Sequence, residues 1–224
     1  MRLKSILNLA SALLLSATAA KALDVNANVT TQKGYNGRGF KMADHVVVQP
    51  CLTLSHDVSS VTASVTGFGN VSSESKKLNE ADFMANVSTS VSGVNIGIGY
   101  GNFHFPNTDS DPTQEVSASL NLPVFLNPSM LGVYDFMDKG GYLEFSVQES
   151  KQVGPLTLTG KLALGENIFY FTEMHGPSHL LAGISASYTL PHGLSLTAKA
   201  ERTLAANKDF NSTTVLSLGV NASF

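Results

Sequence analysis

Tryptophan is missing from this chain, cysteine occurs once, and only 14% of its 224 residues are charged. Each scarcity excludes something. A lone thiol, Cys51, cannot close an intrachain bridge, so no disulfide framework holds the fold. Beyond the N-terminal segment there is no long uncharged apolar run, whereas an α-helical span needs about 20 such residues, so an α-helical membrane protein is excluded. Convincing 3.6-residue periodicity is also lacking, so no amphipathic helix is expected.

What the N-terminus does have is a short basic start at Arg2 and Lys4, a mostly apolar stretch from Ile6 to Leu15, and the small-x-small triplet Ala20-Lys21-Ala22. This pattern predicts a secretory signal peptide over residues 1–22 and a mature domain over 23–224. Cleavage removes Arg2, Lys4 and Lys21 and no acid, leaving 14 − 3 = 11 basic residues against 17 acidic ones. A net charge of about −6 argues against nucleic acid as a partner. Stability must come from burial in a core or in lipid.

The C-terminal residues carry the plainest pattern. Thr214, Leu216, Leu218, Val220, Ala222 and Phe224 alternate with Ser217, Gly219, Asn221 and Ser223, a period of two with one oily and one small polar face. Similar alternation recurs along the chain, in segments beginning near Leu23, His45, Ser59, Asp82, Val94, Glu115, Met130, Tyr142, Leu156, Leu180 and Leu194. The facing of the Met130 segment is not assignable from its residues. Lys33 to Asp44, Asn70 to Glu80, Asn107 to Pro112, Gly165 to Ser178 and Thr203 to Ser212 read as long connections after odd-numbered strands. The link near Asp138-Lys139-Gly140-Gly141 is a short exception, and connections after even-numbered strands read as a few residues each. A β-sandwich has no reason to sort its loops in this way, whereas a membrane barrel does. The expected fold is all-β, a single transmembrane antiparallel up-and-down barrel of about 12 strands, with a soluble secreted β-sandwich as the alternative.

With these segments in view, the sequence resembles the outer-membrane β-barrels of Gram-negative bacteria, and most closely the TorF-type porin family. The resemblance rests on Gly37-Arg38-Gly39 followed by Val48-Gln49, on Glu80 to Asp82 opening a strand, and on Tyr100, Phe103 and Pro106 ahead of Glu115-Val116. Val133-Tyr134-Asp135 and Tyr142-Leu143-Glu144 complete it. It implies that Phe224, a C-terminal aromatic, is an assembly signal read by the barrel-insertion machinery. With few aromatics, the rings usual at the lipid interfaces fall to residues such as Phe83, Tyr100, Phe145, Tyr188 and Phe224.

Candidate chemistry is sparse. His175-Gly-Pro-Ser-His179, with Glu173, offers the residue types of a hydrolase or a metal-binding loop, but residues so close in sequence rarely present that geometry, and an ordinary polar loop is the plainer reading. Gly34, Gly37 and Gly39 match no phosphate-binding spacing and read as turn residues suited to positive φ. Arg38 between them is either a solvated loop arginine or a constriction residue folded into the lumen opposite acidic wall residues. Asp24, Asp82, Glu115, Glu144 and Glu201 share the predicted lumen face with Lys161 and Lys199, which suggests a cation-preferring path; salt bridges that fill the lumen are the alternative. Asp109 and Asp111 read as solvated loop acids, and the five Asn-x-Ser/Thr sites as products of composition.

The function expected is therefore a passive channel or porin for small hydrophilic solutes, cation-preferring, in the outer membrane. It is not an enzyme, uses no cofactor or metal, and has lipid, the insertion machinery and small solutes as partners. An outer-membrane barrel hydrolase and a soluble secreted sandwich that binds a partner are the alternatives.

Overall fold

A computed structural model describes residues 23–224, so the predicted signal peptide, 1–22, lies outside the described residues. Twelve strands follow in order: β1 (Asp24–Gly37), β2 (Phe40–Val58), β3 (Val61–Ser72), β4 (Leu78–Val91), β5 (Val94–His104) and β6 (Thr113–Asn121). They continue as β7 (Ser129–Asp135), β8 (Gly141–Val153), β9 (Leu156–Ile168), β10 (His175–Thr189), β11 (Leu194–Ala205) and β12 (Thr213–Ser223). Each pairs antiparallel with its chain neighbours, and β1 pairs with β12 from Asn26 opposite Ser223 to Lys33 opposite Leu216, closing the barrel. Closure leaves no second sheet to pack against, so the fold is not a sandwich.

Alternation decides the inside and outside of each strand. On β12, Leu216, Leu218 and Val220 are exposed on the outer wall while Ser217 and Val215 are buried within. Ile98 and Ile184, 67% and 70% exposed, repeat this on β5 and β10. A protein dissolved in water rarely presents apolar surface on this scale, whereas a barrel in lipid requires it. On β7, Val133 and Asp135 point inward while Met130 and Tyr134 point outward, the facing its sequence left open.

Several expected loops are strand. Lys33 to Asp44 is the paired end of a hairpin turning at Arg38-Gly39, both in the left-handed region (φ 51° and 91°), the two-residue turn that suits the twist of an antiparallel pair. The connection expected from Gly165 to Ser178 shrinks to 169–174, that from Thr203 to Ser212 to 206–212, and that from Asn70 to Glu80 to 73–77. Backbone pairing continues past the point where outward apolar residues stop, so hydrophobic alternation underestimates strand length. The connections after even-numbered strands also include one that is not short, 122–128. It fills the wall ahead of the start of β7, with the Gln148 amide donating to the Leu126 carbonyl at 2.8 Å.

Candidate functional site

Breaks in register lie toward the end of the barrel away from the termini: two in the β1–β2 pairing between Lys33 and Asn36, where β2 carries the extra residues, one at Asn79 in β4 and one at Ser178 in β10. A bulge inserts one residue and re-aims those after it. At these breaks Tyr35 faces Glu80, and Ser178 and His179, though adjacent in sequence, are both buried. These distortions organise a constriction at that mouth.

The tip of the β1–β2 hairpin lies across the opening. Arg38 donates from Nη1 and Nη2 to the two carboxylate oxygens of Glu115 on β6, at 2.5 and 2.7 Å. The planar guanidinium matches a carboxylate through two parallel bonds, which fixes its orientation as well as its position. From the other side comes Tyr170, in the 169–174 connection; its hydroxyl donates to Glu115 Oε1 and accepts from Arg38 Nη1. The guanidinium carbon stands 4.9 Å from the Tyr170 ring centre, 5.8 Å from that of Tyr142 and 6.0 Å from that of Phe103, within reach of cation–π attraction. Phe40, next in the hairpin, packs on Phe210 with ring centres 5.0 Å apart and on Phe171 at 6.1 Å.

Gly39 explains how the tip sits so close. A Cβ there would stand 2.6 Å from His179 Nδ1 and 3.2 Å from the Phe210 ring, and φ is positive, so no other residue fits without displacement. On the opposite side, Phe169 and Phe171 have φ of 59° and 54°, uncommon for bulky side chains, and drive Tyr170 between them into the lumen. Asn167 donates to the Met174 carbonyl at 2.8 Å and pins the base of that connection.

Electrostatics follow from this packing. Burial acts to lower the pKa of Arg38, but its hydrogen bonds and its attraction to Glu115 and Tyr170 outweigh it, so the group is held above the usual arginine range. Tyr170 is raised by burial and by Glu115, with Arg38 opposing, and keeps its proton. Asp138, in the connection after β7, is raised by partial burial and by its acidic neighbours Asp135 and Asp111.

The predicted lumen residues separate into paired and unpaired groups. Glu144 accepts from Lys161 at 2.9 Å, and Lys199 bonds Glu201 at 2.9 Å across two positions of one strand. Glu115 belongs to Arg38, and Asp24 stands at the exposed start of β1. Asp82 is 9% exposed and its Oδ1 accepts no hydrogen bond among the described residues. Beside it is Glu80, which in the sequence closes the Asn70 to Glu80 connection; it is 6% exposed, and its Oε1 accepts from Tyr35 at 3.4 Å while Oε2 has no partner among the described residues. The bulge at Asn79 interrupts the alternation there, which hid Glu80; its spacing of two from Asp82 was the available signal. The two line a cavity of about 280 Å³ with Arg38, Phe68, Phe103 and Phe105. A wider vestibule of about 1290 Å³, lined in part by Lys41, His104, Asp111 and Glu173, also takes in Phe40 and Phe171 of the constriction. A further cavity of about 920 Å³ runs along the lumen-facing Gln32, Ser150, Thr159, Ser185, Lys199 and Ser217.

The histidine cluster does not assemble. Ser178 is fully buried and lies 3.0 Å from His179 Nδ1, but His179 is itself 2% exposed, stacks on Tyr142, and among the described residues has no carboxylate hydrogen bond to orient it. His175 stacks instead on Phe169, Glu173 is exposed in its connection, and no group of three metal-ligating side chains forms among the described residues.

No family model and no curated protein matches the sequence. Solved structures do match the barrel. An outer-membrane channel from Pseudomonas putida F1 superposes with a TM-score of 0.57 at 11% identity, covering 92% of this chain and 97% of that one. The fold is that of the outer-membrane barrels. The KdgM porin, at 14% identity and a TM-score of 0.54, covers 90% of this chain and 99% of its own. The outer membrane phospholipase A of Escherichia coli, at 11% identity and 0.54, covers 88% of this chain and 89% of its own. One architecture thus carries both pores and an enzyme, so function must be argued from this chain's own residues.

Proposed function

We propose that this protein is a passive outer-membrane channel for small hydrophilic solutes, cation-preferring and narrowed by Arg38, exported by the signal peptide and inserted through recognition of Phe224. The observation that carries the reading is the contrast between the two faces of one closed wall. Outside, large apolar side chains are exposed on strand after strand; inside, one cavity runs along the inward Gln32, Ser150, Thr159, Ser185, Lys199 and Ser217, and large aromatic side chains gather at the constriction. Twelve strands enclose more room than eight, where side chains can fill the interior, and less than the wide porins of sixteen. The resemblance to TorF-type porins and the similarity to channel barrels support the same reading. The burial of Ser178 and His179 favours a channel over the hydrolase alternative, since a nucleophile must be reached by its substrate.

Cation preference rests on the balance of the lumen. Three acids are matched one to one by Arg38, Lys161 and Lys199, leaving Glu80 and Asp82 as uncompensated carboxylates near the narrowest part. In a confined low-dielectric passage that surplus draws cations. Planar-bilayer recording of the refolded protein tests this. Stepwise conductance and a cation-selective reversal potential in a KCl gradient are expected; absence of conductance, or anion selectivity, would remove the proposal.

A further inference from the structure

The cavity beside Arg38 is more specific than a charged stretch of wall. We propose that Glu80 and Asp82 form a binding site for the ammonium or guanidinium group of a small organic cation. The inference rests on the channel reading above and deepens it by naming the class of solute that pauses at the constriction.

Three features of the cavity define the occupant. Its charge is unbalanced, because Arg38 is committed to Glu115 through both nitrogens and supplies no hydrogen bond to Glu80 or Asp82 among the described contacts. Its free polar atoms are acceptors: Glu80 Oε2 and Asp82 Oδ1 are both buried, both lack a donor, and both belong to side chains lining the same space. A buried carboxylate without donors is costly, so the complementary ligand brings positive charge and N–H groups together. Apart from Gly37, Thr113 and the Arg38–Glu115 pair, the rest of the lining is aromatic or thioether, including Phe68, Phe103, Phe105 and Met84, which suits an alkyl or planar body and the face of a cation.

A resident metal ion fits less well. Two carboxylates are offered, and no third protein ligand joins them among the described residues. Divalent ions held by protein favour more oxygen ligands than that. The volume of about 280 Å³ lies just under the range of about 300 to 1,000 Å³ usual for drug-sized ligands, so a small amine is the appropriate size.

Isothermal titration calorimetry of the refolded barrel in detergent, with ethylammonium chloride as probe and sodium chloride at equal ionic strength as reference, tests the site. Saturable one-to-one binding of ethylammonium, not shared by sodium, is expected. Asp82→Asn and Glu80→Gln should each weaken it at least tenfold, while Glu149→Gln, on the outer wall, leaves it unchanged. Asp82→Asn replaces a buried carboxyl whose Oδ1 lacks a hydrogen-bond partner with a neutral side chain of the same shape, so its folded band on a heat-modifiable gel should persist to the same or a higher temperature, which separates loss of binding from loss of fold. Equal heats for sodium and ethylammonium, or undiminished binding in the folded Asp82→Asn protein, would overturn the site. Because calorimetry needs no current, binding without conductance would retire the channel and keep the site, and conductance without binding the reverse.

Discussion

Arg38 is the residue on which the mouth of the barrel turns, because its single cation satisfies the buried Glu115 and orients Tyr170. Removing one partner of a buried ion pair strands the other, at a cost of about 3–5 kcal/mol, whereas removing both leaves little behind. Arg38→Ala should therefore lower the temperature at which the folded barrel band converts on heating, and the double variant Arg38→Ala/Glu115→Gln should recover most of that loss. In bilayers both should conduct more than the parent, since the guanidinium no longer crosses the opening. Equal melting of single and double variants would show that the pair carries no stability, and unchanged conductance would show that the constriction lies elsewhere. The sequence offered Arg38 as a choice between a solvated loop residue and a constriction. Nothing local to Gly37-Arg38-Gly39 distinguishes them, because the partner is 77 positions away on β6.

At the scale of elements, the sequence was most legible where lipid imposes its rule and least where strands leave it. β12, β10 and β5 read correctly because every second residue must be apolar to face hydrocarbon. Above that level the hairpin of β1 and β2 continues on backbone hydrogen bonds and contacts across the lumen rather than on lipid-facing side chains, and the breaks in register between Lys33 and Asn36, at Asn79 and at Ser178 interrupt the alternation, so pattern no longer reports facing. That is why Glu80 reads as the last residue of a connection and nothing in the pattern marks Tyr170. The 169–174 connection is the element whose role the structure adds. Its two flanking phenylalanines at positive φ cost of order 1–3 kcal/mol each, and burial of the Tyr170 ring offsets them. Tyr170→Ala should forfeit about 3–5 kcal/mol of packing, as aromatic truncations in cores do, and release the strained turn. Limited proteolysis of the folded barrel should then cut within 169–174, where the parent resists; a variant equally resistant would mean that the connection is held by Asn167 and Phe171 without its central ring.

Among the described residues the barrel has no edge strand, and its closure is made by β1 and β12. The Val25 amide donates to the Phe224 carbonyl at 3.1 Å and the Phe224 amide returns the bond at 3.0 Å, while its ring is 60% exposed on the lipid side. A barrel open at this seam would leave two rows of unpaired backbone groups in hydrocarbon, each costing several kcal/mol. Only the last pair of bonds involves Phe224; the seam from Asn26 to Lys33 does not. Deleting Phe224 should accordingly lower the amount of folded barrel recovered in the membrane fraction much more than it alters the conductance or heat-modifiability of the barrels that do form. Phe224→Tyr, which keeps an exposed ring at the end of the chain, should restore most of the yield, and Phe224→Ala should not. A deletion that inserts as well as the parent would reduce the residue to an ordinary apolar end, whereas one whose inserted barrels melt early would make it a clasp rather than a signal.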